Sequence, residues 1–275
     1  MQDRFITSGQ MVLNQNLHHN QTMTRRNLLT FISAVTLCLF FSCAGSQNDG
    51  SNDRTDIPEK SETGPATSGY VTWYAESEAT SPSVAYYTPE LESGWFHCAV
   101  SEPKYNDFPA GTAIELSAGG KTIHLLVTDL CPNSSNSHHT SKANYFFDLQ
   151  KSAFTTLADE SVGELQMTFK VIPYPTSKNI GFISTTTKEW YLQGRFFNMR
   201  YPLKKIEYSL DEGKTFSEMT PVARVENNLY CINGVQIPAK AIFRLTDIHN
   251  HILTTNSVSI PSTGKKSDLG GNFPY

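Results

Sequence analysis

TAIELSAGGKTIHLLVTDLCP, residues 112–132, is the stretch on which the fold turns. Ile114 and Leu116 alternate with Glu115 and Ser117, and Ile123 and Leu125 alternate with Thr122 and His124, which is the period of a half-buried strand. Gly119 and Gly120 separate the two runs and supply the positive φ that a two-residue hairpin turn requires. The stretch therefore predicts two antiparallel strands and a tight turn. Asp129 then comes at the end of an apolar strand, ahead of Cys131, Pro132 and the polar loop NSSNSHH, residues 133–139. Two readings are open for it: a turn residue bonding its own backbone, or a carboxyl group with chemistry to perform.

Working outward, the same alternation recurs in YVTWYA (70–75), WFHCAVS (95–101) and LQMTFKVIPY (165–174). Only DLQKSAFTTLAD, 148–159, has helical spacing, with Leu149, Ala153 and Leu157 on one side. A barrel of about six strands with one short helix is the simplest closure. After IPYPTSKN (172–179), where two prolines interrupt the pattern, come WYLQGRFF (190–197), LKKIEYSLDEGKTFSEM (203–219), NNLYCING (227–234) and KAIFRLTDIHNHILTTNSVSI (240–260). Six or seven strands with turns at DEGK and DIHNH predict a β-sandwich of about 100 residues. The expected fold is all-β, a barrel over 68–173 followed by a sandwich over 174–275.

The chain begins with a different kind of segment. Arg25 and Arg26 precede an apolar run from Leu28 to Phe41, too short for the roughly 20 residues of a membrane span and of the length of a secretory signal. The ending FFSC resembles a bacterial lipoprotein cleavage box, with Cys43 as the lipidated residue and Met23 as the start of translation. Residues 1–43 are then upstream residues and signal, and 44–67, rich in Ser, Gly, Asp and Asn, a flexible tether. The expected location is outside the cytoplasm, at the outer membrane or cell surface of a Gram-negative bacterium, held to the membrane by the lipid. With Lys and Arg numbering 22 against 26 Asp and Glu, the net charge of −4 gives no basic surface for nucleic acid, which is set aside as a partner. Once Cys38 leaves with the signal and Cys43 carries lipid, Cys98, Cys131 and Cys231 remain. Cys98 and Cys131, both in the first half, are expected to form a disulfide, with Cys231 a buried thiol. A metal site is not expected, because no C-x-x-C occurs and the histidines lack ligand spacing. His138 and His139 read as a solvated pair in a loop.

SGYVTWY, VTDLCP, FDLQKSAF, EWYLQGRFFNMRYPLKKIEYS, FRLTDIHNHIL and the final Pro-Tyr together resemble a bacterial expansin, over about residues 68–275. That family has a six-stranded double-psi β-barrel followed by an immunoglobulin-like sandwich, the family-63 carbohydrate-binding module. VTDLCP alone is shared with the rare lipoprotein A family; NMRYPLKKIEYS is specific to expansins. The resemblance implies that Thr72, Asp129 and Asp148 line a groove in the barrel and that Trp190 and Tyr191 take two of three positions in an aromatic platform. Glu226 stands at the third, where Tyr230 or Phe216 would have to substitute. Adjacent strand residues point to opposite faces, so Trp190 and Tyr191 can share a sugar only at a strand end or a bulge, for which Gly194 offers a place. Phe196, Met199 and Tyr201 read as core and hinge packing, Arg200 and Lys204 as a solvated face.

A carboxyl group at a strand end among apolar neighbours loses hydration and holds a proton more tightly, which would let Asp129 act near a glycosidic oxygen. Hydrolysis with inversion needs a second carboxyl roughly 6.5–9.5 Å away, and Asp148 is the nearby candidate, its alternative being an N-cap for the helix. Thr72 reads equally as an ordinary strand threonine. The His-Phe-Asp motif of plant expansins is absent, and no base of the kind that family-45 glycoside hydrolases use is identified. The expectation is thus a cell-wall protein that binds a cellulose-like glycan, hemicellulose or peptidoglycan and loosens it, largely without hydrolysis and without a cofactor. The alternatives are a peptidoglycan lytic transglycosylase of the rare lipoprotein A type, with Asp129 as its acid, and a non-catalytic glycan-binding lipoprotein.

Overall fold

The computed structural model describes residues 65–75, 90–132, 139, 143–222 and 228–275. Cys43, His138 and Glu226, the tether up to residue 64 and the signal lie outside the described residues. In the first half, strands β1 (Thr67–Tyr74), β2 (Trp95–Ser101), β3 (Ala113–Ala118), β4 (Lys121–Cys131), β5 (Tyr145–Gln150) and β6 (Leu165–Ile172) close a barrel. Their order around it is β1-β5-β2-β4-β3-β6. β1 pairs with β5, and β2 with β4, in parallel; the other four contacts are antiparallel. Each parallel pair joins strands distant in sequence, so the chain has to cross the barrel between them. Closure leaves no edge strand with an unpaired ladder.

The hairpin forms as its sequence dictates. β3 and β4 pair from Ala118↔Lys121 outward, and Gly119 (φ 57°) and Gly120 (φ 76°) both occupy the left-handed region that side chains with a Cβ avoid. Ile114, Leu116 and Leu125 are fully buried with Val71, Val100, Phe147 and Leu149. The rings of Phe108, Phe147 and Phe169 pack within 5.0–5.7 Å of one another.

The helix is shorter than its periodicity suggests. α1 spans Lys151–Leu157 and buries Ala153, Phe154 and Leu157. Residues 148–150 are strand instead, because Asp148, Leu149 and Gln150 are paired with Thr72, Trp73 and Tyr74 of β1. Tertiary pairing overrides local helical spacing there. Asp148 is accordingly no N-cap: that position is Gln150, without a side-chain cap.

The second half stacks two antiparallel sheets. One has the order β10-β9-β13-β14, with β15 also on β13; the other is β11-β12-β8-β7-β16. The long members are β7 (Gly181–Lys188), β8 (Tyr191–Phe197), β9 (Leu203–Ser209) and β13 (Lys240–Asp247), with β12 (Tyr230–Asn233) shorter. β10 (Ser217–Glu218), β11 (Thr220–Pro221), β14 (Ile252–Thr254), β15 (Val258–Ser259) and β16 (Lys266–Asp268) are two or three residues each. Ten strands are described where six or seven were expected, because runs this brief carry no legible alternation. Phe182, Phe196 and Phe243 fill the space between the sheets, ring centroids 5.0–5.7 Å apart. Burying each is worth about 2–3 kcal/mol. At the DIHNH turn, Asp247 is fully buried and accepts from the backbone N–H groups of His249 and His251.

Barrel and sandwich belong to one compact unit, Thr55–Tyr275. Tyr174, in the connection between them, accepts a hydrogen bond on its hydroxyl from Glu92 N–H at 2.8 Å and takes the edge of Trp95 at 4.9 Å. Its own N–H donates to the carbonyl of Arg200. Arg200 is not the solvated side chain anticipated: it donates to the carbonyls of Phe273 and Thr176 and lies over the ring of Tyr275 at 3.8 Å. Phe196, Met199 and Tyr201 are buried. Among the described residues no helix is long and apolar enough to cross a membrane.

Candidate functional site

Four barrel strands carry a polar row. Thr72 of β1 pairs with Asp148 of β5, Asp148 with Ala99 of β2, and Ala99 with Asp129 of β4. Directly paired residues share a face, so the three residues picked from the sequence stand side by side. Their neighbours Val71, Phe147, Leu149 and Val100 point the other way, into the core. The two aspartates are one strand apart, with backbones separated by roughly 9–10 Å at about 4.8 Å per strand. Ala99, small and buried, is the gap between them.

Asp129 lies within β4 and not at its end, because the parallel ladder with β2 continues through Ser101↔Cys131. Its carboxylate accepts from the N–H of Leu130 at 2.7 Å, a local bond of the turn-forming kind made inside a strand. Thr72 donates to Asp148 Oδ1 at 2.5 Å and stands 2.8 Å from His139 Nε2. Ser101 Oγ contacts His139 Nδ1 and donates to the carbonyl of Tyr145 at 3.0 Å. Thr72, Asp129 and Asp148 are each only 7% exposed, so the row is covered and not an open trough.

His139 corrects the sequence reading most sharply. It is 2% exposed, packs edge-on to Tyr145 at 5.6 Å and joins Thr72 and Ser101. One donor atom each from Cys131, His139 and Asp148 falls within 4.8 Å of the others, so ligand-type side chains converge although their spacing, eight and nine residues apart, matches no zinc pattern. Ser101 was missed too. Its signal was its place two residues beyond Ala99 on the same face of β2; His139, in a loop, had none.

The expected disulfide is absent: Cys98 and Cys131 are both free and buried. Cys98 is level with Val127, while Cys131 is level with Ser101, three residues or about 10 Å further along the strand. Cα atoms more than about 7 Å apart cannot be bridged. Burial, followed by the field of Asp129 and then Asp148, pushes the Cys98 thiol well above its ordinary value. Burial and Asp148 raise that of Cys131 to about 12. Both sulfurs are protonated at neutral pH, and Cys98 donates to the carbonyl of Leu126.

In the sandwich, Trp190 occupies the β7–β8 turn and is 53% exposed. Tyr191 opens β8 opposite Lys188, half-buried, its hydroxyl donating to Gln193 at 2.9 Å; burial and then the Cys231 thiol raise its pKa. The pair stands at a strand end, one of the two places where neighbours can serve one ligand. The bulge opposite Gly194 also exists, as a register shift between Ser184 and Thr186. A Cβ at Gly194 would run into the carbonyl of Ile183 and the ring of Phe182. Neither substitute for a third aromatic is in place. Tyr230, paired with Gly194, lines a cavity of about 280 Å³ between barrel and sandwich, with Tyr105, Pro109, Met199 and Met219. Phe216 lies beneath the guanidinium of Arg244 at 4.0 Å, against the other sheet.

Two solved structures share this architecture: the apo expansin of Clavibacter michiganensis, and an Asp-to-Asn mutant of that expansin in complex with cellohexaose. Each matches with a TM-score of 0.62 at 16% identity, over 77% of this chain and 99% of the other. The fold is that of a bacterial expansin. No family model matches the chain, and no curated protein does. The expansin fold accounts for a barrel and a sandwich in this order; at 16% identity it does not by itself assign the chemistry.

Proposed function

We propose that this chain is an exported, expansin-like glycan-binding protein that holds a β-linked polysaccharide on Trp190 and Tyr191 and loosens its packing, with little or no hydrolysis. The observation that carries the reading is the row Thr72–Asp148–Ala99–Asp129, set across adjacent strands of an expansin-type barrel. A cellohexaose complex of the Clavibacter michiganensis expansin supports a cellulose-like chain as the ligand class. Near-complete burial of both aspartates weighs against turnover, because an activated water has to reach a hydrolytic base, and the exposure of Trp190 is what supports binding on the sandwich. The lipidated Cys43 and the tether would display the folded part outside the membrane.

Retention of the purified protein on cellulose, xylan and peptidoglycan tests this. Wild type is expected to be retained by at least one glycan. Trp190→Ala is expected to bind about tenfold more weakly, the equivalent of about 1.4 kcal/mol for one lost stacking ring. Wild type that no glycan retains refutes the reading.

One observation favours a second reading. Asp148 is engaged by Thr72, and a lytic route, in which the sugar's own hydroxyl attacks, requires a single acid, a role that Asp129 alone would fill. Anhydro-sugar ends released from purified sacculi, and lost in Asp129→Asn, would establish a lytic transglycosylase.

A further inference from the structure

The geometry points to a transition-metal site, best matched to Zn²⁺, held by Cys131, His139 and Asp148. The three residues come from the end of β4, from the segment between β4 and β5, and from the middle of β5. Their donor atoms lie within 4.8 Å of one another, and all three side chains are buried. Around Zn²⁺, with bonds of about 2.0–2.3 Å, the edges of a tetrahedron are about 3.4 Å, so a contraction of about an ångström closes the shell. One thiolate, one imidazole and one carboxylate suit zinc, whereas magnesium and calcium take oxygen ligands. The fourth position adjoins Thr72 Oγ1, 2.8 Å from His139 Nε2 and 2.5 Å from Asp148 Oδ1.

An outer shell is present as well. Ser101 Oγ contacts His139 Nδ1, which orients the ring with Nε2 toward Thr72 Oγ1, a contact the ion would replace, and Thr72 bonds Asp148. Such partners fix ligand geometry in metal sites. The ion would clasp residues 131–148 across the barrel, a task a disulfide was expected to perform from Cys131. It would also engage Asp148, so any Asp148-dependent chemistry on a glycan is suppressed in the metal-bound protein, while binding at Trp190 is untouched.

Metal content measured by mass spectrometry on protein purified without a histidine tag, and again after refolding in ZnCl₂ and dialysis, is expected to give one Zn²⁺ per chain. Replacement by Co²⁺ should give tetrahedral ligand-field bands and a thiolate-to-cobalt charge-transfer band. Cys131→Ser abolishes the charge-transfer band, His139→Ala removes stoichiometric uptake, and Ser101→Ala weakens affinity by about 10–100-fold. Cys231→Ser leaves all of these unchanged. Wild type without stoichiometric uptake, or uptake that survives in His139→Ala or disappears in Cys231→Ser, overturns the site. No glycan enters these measurements, so their outcome is independent of the glycan-binding reading.

Discussion

Cys131 and Cys98 show how one residue type can be placed correctly and paired wrongly. Both were read as disulfide partners, and both are buried free thiols; the register that separates them by three residues depends on the parallel ladder between β2 and β4, which no local pattern encodes. The raised thiols have a direct consequence. In native, metal-free protein at pH 8, alkylation followed by peptide mapping should leave Cys98 and Cys131 unmodified, and both should label after unfolding, because the thiolate is the reactive form. Labelling of Cys131 in the native state at a rate near that of a free thiol would refute the burial and field assigned to it. Thr72, Asp129 and Asp148, which the structure sets side by side, were picked out by resemblance to a family; from their own surroundings in the sequence, a turn residue and a helix cap fitted as well. His139 had no periodicity to place it, since a loop residue reaches the site through the path of the whole loop.

At the scale of elements, the hairpin of β3 and β4 was readable in full, because its turn chemistry and its alternation are both local. The start of α1 was not, since β1 claims residues 148–150. In the sandwich, β9 and β13 are joined by Glu207 and Arg244, directly opposite each other. Arg244 makes two bonds to the Glu207 carboxylate, 2.8 and 2.7 Å, and Lys205 adds a third at 2.9 Å. The bonds from Arg244 come first among the causes that hold the Glu207 carboxyl down at about 2. A depressed folded-state value means stability that is present above the unfolded-state value, near 4.3, and is lost as pH falls through about 2. Glu207→Gln is therefore expected to destabilise the protein by about 2 kcal/mol at pH 7. The gap to wild type in urea unfolding should shrink as the pH drops from 5 toward 2. A gap that widens on acidification would refute the assignment. Gly194→Ala belongs to the same scale: with no room for a Cβ beside Ile183 and Phe182, a loss of about 1–3 kcal/mol is expected in thermal unfolding.

Over the whole molecule, the connection between barrel and sandwich is ordered and anchored at both ends, through Glu92 and Trp95 on one side and Arg200 on the other. Tyr174→Phe keeps the ring and removes the hydroxyl that Glu92 N–H donates to. Hydrogen exchange at Glu92 should speed up in that variant while amides in the centres of β3 and β13 keep their protection. Equal acceleration everywhere would mean that the hydroxyl supports global stability and not the joint. The two-part β architecture was legible from alternation and from the paired prolines of residues 172–179; the joint was not, because it is made by residues far apart in sequence, such as Glu92, Tyr174 and Arg200.

The row of Thr72, Asp148, Ala99 and Asp129 also says something about time. Thr72 and Asp148 are 76 residues apart along the chain, and they meet only through parallel pairing of β1 with β5. Non-local pairings of this kind are slow, taking milliseconds to seconds in small domains. A polypeptide leaving the ribosome or a secretion channel therefore possesses the hairpin of β3 and β4 long before it possesses the row. The row forms only once these distant strands have paired, so a chain that holds the hairpin alone does not yet carry it.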